Sequence, residues 1–249
     1  MLGTWQVTNK LSAFSMPLGR ALVDSFVQAV AQEDVAEAVS YAYQLKFVPV
    51  QAPLGEPTLR VAQDRRFNAI EETQAFLGAD GGTVRECTYE CCSDSAPHGR
   101  LHLEVLDPPD ELGGAAASAN AGRATMSSPS SFLDLQFVWA QWDAQAEGVF
   151  ITSELVEQRT QRAADLYSDA QDETQYLEII TRFARRGPDR VVARNRLVQY
   201  LTLPGRGEAK DRRAALAAGR AVSFFDYDWE LERIPSRDAS SLLGTPRRA

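Results

Sequence analysis

Gly3-Thr4-Trp5-Gln6-Val7-Thr8 opens the chain, and Phe224-Phe225-Asp226-Tyr227-Asp228-Trp229-Glu230-Leu231-Glu232-Arg233-Ile234 stands close to its other end. Both runs are rich in the aromatic and β-branched residues that suit a pleated surface. Gly3 permits a tight entry into the first strand, because a residue without Cβ tolerates conformations closed to others. A tryptophan near one end and an arginine near the other also form a natural pair. A guanidinium over an indole face contributes roughly 0.5–2 kcal/mol. The two end strands are therefore expected to meet, with Trp5 packed near Arg233 and with Gly3, Trp5 and Arg233 all structural. A sheet whose first and last strands pair is an antiparallel barrel.

Between these ends the period of the sequence is mostly two. Tyr41 to Val48 alternates and is closed by Pro49 and Pro53. Thr58 to Phe67 is expected as a polar-rich strand, and Glu71 to Leu77 as a helical turn or two. Thr83 to Cys91 and Arg100 to Leu106 are expected as a hairpin around Ser93 to Gly99. Leu133, Leu135, Phe137 and Trp139 alternate with Asp134, Gln136, Val138 and Ala140, and Gly148 to Gln158, Glu173 to Phe183 and Val191 to Leu201 alternate likewise. Ala221 to Ile234 is the last strand. Arg20 to Val39 has a near-helical spacing of apolar residues, which fits one or two short helices or an irregular cover for a barrel mouth. A short helix is expected at Glu208 to Ala218, capped by Gly219. The sum is a mainly β chain: an antiparallel β-barrel of about eight to ten strands with short helices in its connections. Residues 107–131 are dominated by small residues and predict a flexible insertion. One domain is expected over 1–235, with a tail over 236–249.

The 249 residues are 44% apolar and 24% charged, with a net charge of −8 and a pI near 4.9. That balance argues against nucleic acid as a partner, since phosphate binding needs a basic stripe. No apolar run reaches the roughly 20 residues of a membrane-spanning helix. Residues 1–20 carry no signal-peptide pattern. With a strand so close to Met1, the chain is expected to be a mature or trimmed form, its targeting peptide out of view.

The residues offer little chemistry. Cys87, Cys91 and Cys92 sit close together, an odd count that makes no disulfide framework; free thiols beside a strand are expected, with a redox-sensitive cluster as the alternative. With His98 and His102 the three cysteines form a weak candidate zinc constellation, but CxxxCC is not a zinc-site spacing. A hairpin turning at Ser93 to Gly99 would bring His102 beside Cys91. No P-loop, HExxH, nucleophile elbow or dinucleotide fingerprint occurs. Asp64 and Glu90 are carboxylates on strand-like segments, yet 34 acids are present and none stands out. Arg60, Arg65, Arg66, Arg85, Arg194 and Arg196 are expected on solvated outer positions, paired with acids; the alternative turns them inward as a basic lining for a carboxylate ligand. Trp139, Trp142, Tyr176, Phe224, Phe225 and Trp229 are expected in the core.

Four blocks carry a resemblance: the opening GTWQVT, then VAQDRRFNA followed by FLG, then RVVARNRLVQYL, then FFDYDWELERI. In that order they resemble an uncharacterised family of cyanobacterial and plastid proteins, and the likeness runs from Gly3 to Ile234. The resemblance implies residence in the chloroplast thylakoid, on its lumenal side, and association with a photosynthetic complex. It brings no catalytic residues. Two departures stand out. A Thr-Pro-Gly-Phe-like turn expected between Pro17 and Tyr41 is replaced by an Ala/Val-rich segment, and the insertion at 107–131 is additional. More loosely, the barrel opening and last strand resemble lipocalin-like (calycin-type) barrels, among them the chromophore lyases of phycobiliproteins.

The leading expectation is a non-catalytic accessory or peripheral subunit of a photosystem complex, without metal or cofactor and with no transmembrane segment of its own. The first alternative is a lipocalin-like carrier that holds a pigment or lipid non-covalently inside the barrel. The second is a chromophore-lyase-like enzyme.

Overall fold

Side chains that alternate every second residue settle into strands with one face inward, and ten such strands form among the described residues. The computed structural model describes residues 1–50, 60–78, 82–91, 98–106, 130–146, 148–162, 172–200 and 220–235. In chain order these hold β1 (Gly3–Ser15), α1 (Ser25–Glu37), β2 (Ser40–Val50), β3 (Arg60–Gln63), α2 (Arg65–Leu77), β4 (Thr83–Glu90) and β5 (Arg100–Leu106). Then follow β6 (Ser130–Ala146), β7 (Val149–Arg162), β8 (Asp172–Arg185), β9 (Arg190–Tyr200) and β10 (Ala221–Arg233). The helix expected at 208–218, residues 107–129 of the insertion and the tail beyond 235 lie outside the described residues.

All ten strands join one antiparallel sheet, in the order β3-β2-β1-β10-β9-β8-β7-β6-β5-β4. From β4 to β10 each strand pairs with the next, and β10 then pairs with β1, with Trp5 opposite Arg233. The sheet curls into a half-barrel, consistent with the lipocalin-like barrel expected from the sequence. Its two edge strands, β3 and β4, do not pair with each other. Instead α2 runs between them and packs against β2 and β4. A helix laid over a gap protects exposed strand edges much as a further strand would.

That helix corrects the strand expected over Thr58 to Phe67. Among the described residues of that span Arg60–Gln63 is extended, and Asp64 ends it by capping α2, its Oδ1 accepting the backbone N–H of Phe67 at 3.2 Å. The expected turn or two at Glu71 to Leu77 is the end of a 13-residue helix. β2 runs through Pro49 to Val50; Pro49 faces Val61 of the short edge strand, where a missing N–H is tolerated. Of the readings for Arg20 to Val39, the helical one is correct. A 3₁₀ turn at Arg20–Leu22 precedes α1, whose N-cap Asp24 accepts from Phe26 N at 2.8 Å and Val27 N at 3.2 Å.

The inward rows form two clusters. Trp5, Val7, Leu45, Phe47, Phe183 and Leu231 belong to one, where β1, β2 and β8–β10 meet. Cys87, Leu101, Leu103, Phe137 and Val156 form the other, against Ala69 and Ile70 of α2. A bulge in β6 between Phe137 and Trp139 breaks the alternation seen in the sequence. Phe137 stays buried, whereas Trp139 and Trp142 are exposed, the latter by 61%. These two are thus corrected from core to surface; Tyr176 and Trp229 are buried as expected.

Candidate functional site

One face of α2 carries Arg65, Asn68, Ala69, Glu72, Thr73 and Phe76, which recur at helical spacing and look onto the concave side of the sheet. Between this face and the strands lies a cavity of about 430 Å³, within the range of small-molecule sites. Its lining is mostly apolar, and the polar groups are unevenly placed. Leu101, Leu103, Phe137, Val156, Leu177 and Ile179, from β5 to β8, supply most of the apolar lining, beside Thr152, Glu154 and Gln158 of β7. Asn9, Tyr227 and Trp229 from β1 and β10 form a polar end, beneath Asn68 and Glu72.

The polar end follows from strand register. Trp5, Val7, Asn9 and Leu11 share the inward row of β1, so Asn9 is an amide in an apolar row, 1% exposed. Its cross-strand partner on β10 is Trp229. Further along the same floor, Asn195 Nδ2 donates to Thr181 Oγ1 at 2.7 Å. Asn68 is oriented by the backbone N–H of Lys46, which donates to its Oδ1 at 2.7 Å.

Three buried polar atoms on this lining have no hydrogen-bond partner among the described residues: Asn9 Oδ1, Asn68 Nδ2 and Trp229 Nε1. Such groups are rare in folded proteins, because each unmade hydrogen bond costs about 1–3 kcal/mol. Glu72 adds a fourth unusual group. Burial pushes its carboxyl up to about 7, partly offset by the hydrogen bond it accepts from Tyr43. Tyr43 in turn accepts from Asn9 Nδ2 at 3.3 Å. Burial first, and then the nearby Glu72 charge, push the hydroxyls of Tyr43 and Tyr227 well above the usual tyrosine range.

Arg65 enters the cavity wall without bringing a free charge. Its guanidinium forks onto Glu154 at 2.8 and 3.2 Å and lies 3.7 Å over the Phe137 ring. The alternative of a basic lining is therefore corrected. Arg194 and Arg196 point to the convex face, paired with Asp228 and Asp226 across β9 and β10, and Arg85 pairs with Glu104. Arg66 is exposed.

The residues singled out from sequence fall elsewhere. Gly3 has φ +106°, open to glycine and rarely to other residues, and Arg233 extends its guanidinium past it to 6.0 Å from the Trp5 ring centroid. Arg233 Nη2 donates to Leu2 O at 3.1 Å and Trp5 Nε1 to Met1 O at 2.8 Å. All three residues close the seam between the chain ends, and none lines the cavity. Cys87 is a buried free thiol. Cys91 is disulfide-bonded, which corrects the expectation of free thiols throughout; Cys92 lies outside the described residues. His102 sits opposite Thr88, not beside Cys91, and on the other sheet face from Cys87. It stacks on Phe132 at 5.7 Å. Among the described residues no cysteine–histidine constellation is assembled. Asp64 serves as a helix cap and pairs with Lys46 at 3.2 Å, while Glu90 is exposed.

Sequence reasoning passed over Asn9, Asn68, Glu72 and Trp229 as site residues. A usable signal existed at Asn9, a polar residue at an inward position between Val7 and Leu11. Glu72 carried none, because its direction depends on where α2 is laid.

Residues 1–89 match the family described as a domain of unknown function (DUF6816). No curated protein and no solved structure matches the chain. The matched residues include Asn9, Tyr43, Asn68 and Glu72, and leave Trp229 outside.

Proposed function

We propose that this chain is a carrier that holds one small, mainly apolar molecule between α2 and the concave face of the sheet. The observation that carries this reading is the set of three polar atoms, unpartnered among the described residues, on the wall of a cavity whose surface is mainly apolar. A ligand that pairs with them recovers hydrogen bonds the folded chain forgoes by itself, and apolar burial adds about 25 cal/mol per Å². Solvent extraction of the protein purified from its native source, followed by mass spectrometry, tests this. One dominant small molecule at near-equimolar yield is expected. A protein that yields none, and that fails to take up an apolar fluorescent probe, refutes the carrier function.

A second reading, peripheral attachment to a membrane complex, draws on the surface around α1. Leu18, Leu22, Phe26, Val27 and Val30 are all exposed there, Phe26 by 75%, and exposed apolar groups of this kind mark interaction surfaces. No helix among the described residues is long and apolar enough to cross a membrane, so attachment would come from the side. That the complex is a photosystem on the lumenal side of the thylakoid is part of the proposal, and its support is the resemblance of the four sequence blocks. Co-migration with such a complex on a native gel is the expected result. Recovery only as free protein would refute this second role and leave the first standing.

A further inference from the structure

The polar end of the cavity restricts what the ligand carries there. Asn9 Oδ1 asks for a donor, while Trp229 Nε1 and Asn68 Nδ2 each ask for an acceptor. Asn9 and Trp229 are direct cross-strand partners on the concave face, so their side chains start about 5 Å apart. Asn68 adds its donor from the helix above, on a lining it shares with both. A hydroxyl supplies one donor and two acceptor lone pairs, the complement of this set. A carboxylate supplies acceptors alone and an ammonium donors alone, so either leaves a buried partner unmet.

Charge points the same way. The ionisable side chains on the described lining are Arg65, Glu72, Glu154 and Tyr227. Arg65 is spent on Glu154, which leaves no cation to receive an anionic head, and Glu72 adds negative charge whenever it ionises. Burying an unpaired carboxylate beside it would cost far more than burying a neutral head.

We infer that the ligand is a neutral long-chain alcohol, its hydroxyl held by Asn9, Trp229 and Asn68 and its hydrocarbon laid along Leu101, Leu103, Phe137, Val156 and Ile179. This rests on the carrier function proposed above and adds the chemical class and the orientation.

Three probes of equal chain length test it by titration calorimetry on the full chain: decanol, decanoate and decyl methyl ether. The ether keeps an acceptor and lacks the donor. Decanol is expected to bind about tenfold tighter than the ether and tighter still than decanoate, the difference expected when a buried acceptor is left unmet. Trp229→Phe keeps an aromatic ring and loses the N–H, and is expected to weaken decanol and the ether alike, about tenfold, because both offer the oxygen that accepts from Nε1. The thermal transition of the variant reports whether it stays folded, and the wild-type probe ranking stands as a test without it. Decanoate or the ether binding as tightly as decanol overturns the alcohol assignment and leaves the carrier intact. Failure of all three to bind removes both.

Discussion

The two ends of the concave face share one alternating pattern and reach opposite results. Around β1, β2 and β8–β10 the inward positions hold large rings. Phe183 stacks on Phe150 at a centroid distance of 4.6 Å and meets Phe47 and Trp229 edge-on at 6.3 Å each. Beneath α2 the inward positions mix Leu, Val, Ile and Thr with Phe137, Glu154 and Gln158, and the helix face above contributes Ala69 and Thr73. The rings pack on one another at their end, whereas this mixed lining leaves the space of a ligand. Ring-on-ring contact on one side and its absence on the other separate a packed core from a cavity here.

The largest expected effect breaks the filled end. Phe183 is 1% exposed, and Phe183→Ala is expected to cost about 3–5 kcal/mol, read by urea unfolding. A loss below about 1.5 kcal/mol would mean that this end is no better packed than the other.

The next prediction concerns Glu72 and runs with pH. Its folded-state value of about 7 lies above the ordinary 4.5, so the folded chain holds this proton more tightly than the unfolded one. The resulting stabilisation is complete below about pH 4.5 and is lost as pH rises through about 7. Wild type is expected to lose about 2 kcal/mol between about pH 5 and about pH 8 through this group. Glu72→Gln should flatten that part of the profile. Identical profiles for the two proteins would show that the carboxyl is hydrated and its end of the cavity wet.

A smaller change sharpens the contrast from the other side. Ile179→Phe puts a ring where the cavity has room. Stability is expected to move by about 1 kcal/mol or less, below the usual cost of overpacking a filled core, while uptake of an apolar probe is weakened. A destabilisation as large as that of Phe183→Ala would show that the space is not available to a ring.

The smallest effect lies outside both ends. Arg233→Leu removes the guanidinium from above Trp5, and a loss of about 0.5–1 kcal/mol is expected by thermal unfolding. The cavity should bind its probe as before, because Arg233 is not part of its lining.

What the sequence revealed, and what it hid, follows the range of the interactions. Strands read well wherever apolar and polar residues alternate over a long run, as in β8 and β9. The pairing of Trp5 with Arg233 was legible because it needs only the two end strands to be neighbours. α2 was partly hidden. Val61-Ala62-Gln63-Asp64-Arg65-Arg66-Phe67 alternates loosely enough to pass for a strand, and the cue that decides against it is one capping aspartate. The bulge in β6 was hidden as well, since one additional residue turns Trp139 off the face of Phe137 without altering the composition. The site was the least legible part. It joins one face of α2 to inward residues of β1 and β5–β10, and no local pattern encodes that meeting.

The pairing of β1 with β10 also governs how the chain can fold. β10 lies inside the sheet, between β1 and β9, although it follows every other described strand in sequence. During synthesis the segment from β4 to β9 can zip together neighbour by neighbour, a local process. β1 and β2 can pair early as well, but they remain a separate piece with an open edge. The two pieces join only when residues 221–233 arrive, a contact that spans most of the chain and so is slow to form. Completion of the half-barrel is thus the late step of folding, and a chain that stops short of Ala221 lacks the strand that unites its halves.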